Sequence, residues 1–129
     1  MLEKEKKSLK MLAHKYESVR SQSLKLCEPL EVEDYLVQAM ENVSPPKWHL
    51  AHTTWFFETF LLVPFFKDYK VFSRPFEVLF NSYYNGVGDQ YPRSRRGLLS
   101  RPTLATVIEY RTHVDKHIET LLNGETTSD

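Results

Sequence analysis

The sequence has 129 residues, 41% of them hydrophobic and 26% charged, which suits one globular domain around one core. Seventeen basic and 17 acidic residues cancel to a formal net charge of zero, so the chain lacks the basic excess of a general nucleic-acid or membrane-surface binder. Its single cysteine, Cys27, excludes an internal disulfide and a disulfide-built secreted fold.

Residues 1–10 are charged, without the apolar centre of a signal peptide. The longest apolar run, 55–66, is interrupted by Glu58, Thr59 and Pro64 and is too short to cross a bilayer. The expectation is a cytoplasmic protein that meets no membrane.

Leu9, Leu12, Tyr16 and Val19 recur at spacings of three and four, with Leu26 one heptad beyond Val19. That stripe predicts an amphipathic helix over residues 2–27, closed by Pro29. A short helical stretch is expected over 31–40, with acidic residues at its front end as the helix dipole prefers. After a break at 42–46, Ser44-Pro45 reads as a helix start, with Ser44 as N-cap and proline in the first turn. This helix runs to about residue 63, is apolar almost all round and so should be buried on most sides. Pro64 ends it.

Residues 65–101 are the irregular part and hold three of the four glycines. Phe72, Phe76, Phe80, Tyr83, Tyr84 and Tyr91 argue that this long connection is packed rather than disordered, with a helical turn over 76–81. Ser100-Arg101-Pro102 opens the last helix. Its stripe is Leu104, Val107, Ile108, Val114, Ile118, Leu121 and Leu122, and Asn123-Gly124 stops it. The expected domain covers 1–124, followed by a loose polar tail, 125–129. Three substantial helices and one short one fall short of the usual four long members of an antiparallel bundle. A missing member leaves an apolar groove, which favours a homodimer or a further stretch of chain.

His113 and His117 have the i, i+4 spacing that lets two imidazoles grip one metal, but both point away from the aliphatic stripe and are expected to face solvent. His52 lies on the same side of its helix as Trp48, Ala51, Trp55 and Leu62, so its ring nitrogens need partners. It is either a core histidine bonded to a backbone group or a metal ligand. His49 sits at the edge of that helix and His14 in a charged stretch. Arg93, Arg95, Arg96 and Arg101 either recognise the carboxylate or phosphate of a small ligand or form a solvated, ion-paired loop. Cys27 reads as structural.

Ser44-Pro45-Pro46-Lys47-Trp48-His49-Leu50-Ala51-His52-Thr53-Thr54-Trp55-Phe56-Phe57-Glu58 resembles the signature near the start of the ergothioneine-biosynthesis sulfoxide synthases. Leu79-Phe80-Asn81-Ser82-Tyr83-Tyr84 is similar to their next block. Arg96-Gly97-Leu98-Leu99-Ser100-Arg101-Pro102-Thr103 is similar to a third, and Tyr110-Arg111 with Val114-Asp115 to a fourth. The four blocks stand in matching order and spacing.

The resemblance implies an N-terminal DinB-like four-helix bundle and a C-terminal domain similar to formylglycine-generating enzymes. It also implies a non-haem iron(II) on three histidines. With dioxygen, such an enzyme joins a thiol, cysteine or gamma-glutamylcysteine, to the imidazole of trimethylhistidine as a sulfoxide. His52 is the implied first ligand, and the other two come from an HExxH-like helix after the YRxxVD block. Arg93 and Arg96 match in spacing a pair of loop arginines that contact the thiol substrate's carboxylates. No ligand role falls to His113 or His117.

The sequence stops before the HExxH-like helix. The expected fold is therefore an all-α, DinB-like helical bundle lacking its last long helix, with a long packed loop between the second and third long helices. The expected function is the bundle portion of such a synthase, inactive alone and without tightly bound iron. One alternative is a non-enzymatic interaction module that dimerises through its groove. The other is a self-standing metal protein that recruits His52, His113 and His117 together.

Overall fold

The structure, a computed structural model, describes residues 3–41, 43–81 and 91–124. Tyr83, Tyr84 and the tail 125–129 lie outside the described residues. Three long helices make the all-α frame: α1 (Glu3–Cys27), α2 (Pro46–Phe57) and α3 (Leu104–Leu122). Among the described residues no helix is long and apolar enough to cross a membrane.

The core lies between α2 and α3. Trp48, Leu50, Ala51, Trp55 and Leu62 meet Val107, Tyr110, Val114 and Ile118, with Phe76 and Phe80 closing one end. The described part of the connection is packed, with Phe72, Phe76 and Phe80 against the core as expected. Phe76 opens a helical turn (Phe76–Leu79), and its ring lies 5.0 Å from that of Tyr110.

Several boundaries differ from the sequence reading for identifiable reasons. Ser44 does not cap α2. Pro45 takes the N-cap position without a side-chain bond, because the Ser44 hydroxyl accepts from the Arg96 guanidinium at 3.0 Å. The cap of α3 is Thr103, whose hydroxyl accepts from the Thr106 amide at 3.2 Å. The stretch 31–40 holds only a 3-10 turn, Val32–Leu36. Beyond it Gln38 donates to the Arg93 carbonyl at 2.6 Å and accepts from the Gly97 amide. That draws the chain out of helical geometry toward a second 3-10 turn, Arg93–Leu98.

Of the apolar stripe of α1, Tyr16 packs against the core, while Leu12, Val19 and Leu26 turn outward, 51%, 61% and 72% exposed. The residues that α1 buries are Arg20 and Cys27. Arg20 pairs with Asp115 of α3 at 2.8 Å and donates to Thr54 of α2 at 2.6 Å. Tyr16 also donates to Asp115. Polar contacts, not the leucines, set which face of α1 is inside.

Helix α2 widens into a π turn, Glu58–Leu62, before a last turn, Val63–Phe65. The Val63 amide reaches back five residues to the Glu58 carbonyl. Pro64 explains the widening: it has no amide proton for a regular bond, and its ring crowds the carbonyl four residues earlier. The turn leaves Glu58 3% exposed. Its carboxylate accepts from the Tyr69 hydroxyl at 2.5 Å, the Tyr110 hydroxyl at 3.0 Å and the Phe72 amide at 3.1 Å. Burial first, and then Glu58, push both phenols above the ordinary tyrosine range, so they stay donors.

Glu58→Ala strands three donors, each worth roughly 1–3 kcal/mol when buried unpaired. A loss of stability on the order of 3 kcal/mol is expected after partial relaxation. Urea unfolding tests it, and a midpoint equal to that of the unaltered chain contradicts this role for Glu58.

Candidate functional site

His52 stands between two tryptophans on one side of α2. Spacings of four and three residues place Trp48 and Trp55 on that side too. The imidazole stacks on Trp48 with ring centres 4.7 Å apart and on Trp55 at 5.7 Å. The Arg96 guanidinium carbon also sits over Trp48, 3.6 Å from the ring centre, a cation–π contact.

The column is anchored by two consecutive carbonyls of the long connection. Trp48 Nε1 donates to Leu79 O at 2.7 Å, and the His52 ring bonds through Nδ1 to Phe80 O at 2.6 Å. A carbonyl only accepts, so Nδ1 carries the proton and Nε2 keeps its lone pair. This is the tautomer and the backbone support that metal-bound histidines use. Burial holds His52 below the ordinary histidine range; the bond to Phe80 opposes this, and the Arg96 charge reinforces it. The ring is therefore neutral near pH 7, as ligation requires. His52 also lines an open groove of about 260 Å³ between α1 and α2, with Val19, Ser23, Thr53, Phe56 and Phe57.

Both substrate-arginine candidates lie near this column. Arg96 is 3% exposed, and its guanidinium donates to Ser44 Oγ at 3.0 Å and Tyr91 O at 3.4 Å. Arg93 is half-buried, and its carbonyl takes the Gln38 amide. His49 is exposed on the rim. Partial desolvation first, and then the charges of His52, Arg96 and Arg93, lower its pKa, while a bond to the Ser44 backbone opposes this.

The other histidines are elsewhere. His14 is exposed. His113 and His117 do not face solvent as the aliphatic stripe of α3 implied. Both are half-buried against Phe66, Tyr69 and Phe72. The buried face of α3 is built on Val107, Tyr110, Val114 and Ile118, whereas Ile108 is 37% exposed. Counting Tyr110 with the apolar residues brings the pair to the edge of that face. Within one chain the three-histidine set His52, His113 and His117 does not assemble: among the described residues no three His, Cys, Asp or Glu side chains are grouped to hold a metal. Cys27 is buried, as a structural cysteine should be.

Sequence reading missed Phe80 as the group that orients His52. No side-chain pattern announces a carbonyl acceptor; the only signal was that a histidine between two tryptophans needs one.

His52, His49 and His113 all titrate below the ordinary histidine value, with burial the leading cause. On acidification the unfolded chain therefore takes up protons first. The stabilisation is full above about pH 6.5 and is lost as pH falls through the unfolded and then the folded values. The thermal midpoint should drop between roughly pH 7.5 and 5.5, and His52→Gln should flatten that dependence. An identical slope in the variant would show that His52 does not contribute.

A family model described as the DinB superfamily matches residues 15–129. No curated protein matches the sequence.

Proposed function

The chain belongs to the DinB superfamily, and from that premise we propose that it is the helical-bundle portion of an iron(II)-dependent sulfoxide synthase of the ergothioneine type. In this reading His52 supplies one of three histidine ligands. Arg93 and Arg96 line the side where the carboxylates of cysteine or gamma-glutamylcysteine bind. The reaction is oxidative C–S bond formation with trimethylhistidine. The observation that carries the proposal is the His52 clamp: Nδ1 is fixed on the Phe80 carbonyl, and the free Nε2 belongs to a neutral ring. The blocks around Trp48-His49-Leu50-Ala51-His52 and Leu79-Phe80-Asn81 supply the two halves of that clamp, which supports reading their family resemblance functionally.

Iron, when bound, supplies the site where dioxygen and thiol meet. This chain's residues fit one corner of such a site: a neutral imidazole stacked between tryptophans at an open groove, with cationic groups nearby. Arg96 stacks on Trp48 and is buried, whereas Arg93 is half-buried, which makes Arg93 the more accessible of the two to a substrate carboxylate. One imidazole is a poor ligand set, since a facial iron site takes three protein groups.

The 129-residue chain should therefore take up no iron(II) tightly on its own. Near-stoichiometric uptake at micromolar or better affinity would overturn that. Gamma-glutamylcysteine should still shift the NMR signals of Arg93 and the His52 ring, and Arg93→Ala should abolish the His52 shift. A His52 shift that survives the substitution removes Arg93 from the site.

A second reading, a dimerising interaction module, is favoured by the outward stripe Leu12, Val19 and Leu26 beside the groove. It predicts a dimer by sedimentation that Val19→Glu dissociates. A monomer at all concentrations counts against it.

A further inference from the structure

His113 and His117 take no part in the function proposed above. They stand one turn apart on α3 with ring centres 4.4 Å apart. Phe66, Tyr69 and Phe72 roof them, with ring centres 4.9–5.8 Å from the imidazoles. His117 commits one nitrogen to the backbone: it donates from Nδ1 to the His113 carbonyl at 2.7 Å. Its proton is thus held on Nδ1 and its Nε2 lone pair remains. The Nε2 of His113 is buried and has no hydrogen-bond partner among the described residues. A buried ring nitrogen without a partner calls for an occupant.

We propose that His113 and His117 form a two-imidazole site for a borderline divalent transition-metal ion, separate from His52. The i, i+4 spacing brings two imidazoles to one side of a helix. The backbone carbonyl on His117 Nδ1 fixes the tautomer and orientation of that ring, the support that metal-bound histidines have. Imidazole donors select zinc, nickel or copper over magnesium or calcium. The charged groups facing the pair are Glu58 and Lys116. Glu58 already accepts from Tyr69, Tyr110 and Phe72, so water completes the coordination and the ion exchanges readily. Because the roof residues follow the end of α2, a bound ion also steadies the start of the long connection against α3.

Nickel(II) binding to the whole chain, measured by calorimetry with circular dichroism as a folding control, tests this. His14→Ala, at an exposed histidine of α1, should bind one equivalent as the unaltered chain does, while loss on changing His117 places the ion at this pair and not at the proposed iron corner. His117→Ala should weaken binding at least about tenfold, and nickel should raise the thermal midpoint of the unaltered chain but not of this variant. If His117→Ala does not fold, His117→Gln serves, since its amide can still donate to the His113 carbonyl while the imidazole ligand is gone. No saturable uptake by the unaltered chain, or unchanged affinity on loss of the His117 imidazole, overturns the proposal.

Discussion

The connection between α2 and α3 carries backbone carbonyls into the interior without a helix or sheet to satisfy them, and side chains of α2 answer them. Lys47 donates to Leu99 O at 2.6 Å and Pro102 O at 2.7 Å. Trp48 donates to Leu79 O and His52 to Phe80 O. A buried carbonyl left alone costs roughly 1–3 kcal/mol, so these bonds decide whether an irregular segment of this length can pack. Lys47 is 3% exposed; burial and then Arg101 lower its pKa, and the two carbonyls solvate its ammonium. The interaction that orients His52 is thus also one that holds the fold together. Disturbing the connection disturbs the histidine.

Helix α1 is attached on different terms. The Arg20 guanidinium spans Asp115, Thr53 and Thr54, while Arg111 donates to the Leu50 and Arg20 carbonyls. Two guanidinium groups near each other are unfavourable, and burial first, then Arg20, draws the Arg111 pKa down to about 10. Asp115 offsets part of that cost. Such contacts are directional, and each donor has its own acceptor. They set the register of α1 more narrowly than a leucine stripe could, and they leave the stripe outside.

Much of this was legible in the sequence. Apolar periodicity located α1 and α3, and the Ser44-Pro45 start with the apolar run after it located α2. The position of His52 among tryptophans signalled a buried ring in need of a partner. Illegible were the places where side chains bond to distant backbone. Ser44 looked like an N-cap because local pattern cannot see Arg96, 52 residues away. The stretch 31–40 looked helical because nothing local shows Gln38 reaching Arg93 and Gly97. His113 and His117 looked solvated because an aliphatic count omits Tyr110 and cannot know that Phe66, Tyr69 and Phe72 fold over them. On α1, the rule that apolar stripes face inward lost to a salt bridge.

The stacking of His52 has an optical consequence. The chain contains two tryptophans, Trp48 and Trp55, and both lie against this one imidazole. All indole emission therefore originates at the candidate ligand. Imidazolium and paramagnetic ions quench indole by contact, whereas neutral imidazole does so far less. The unlabelled protein thus carries two fluorophores that report the protonation and occupancy of the very ring they enclose.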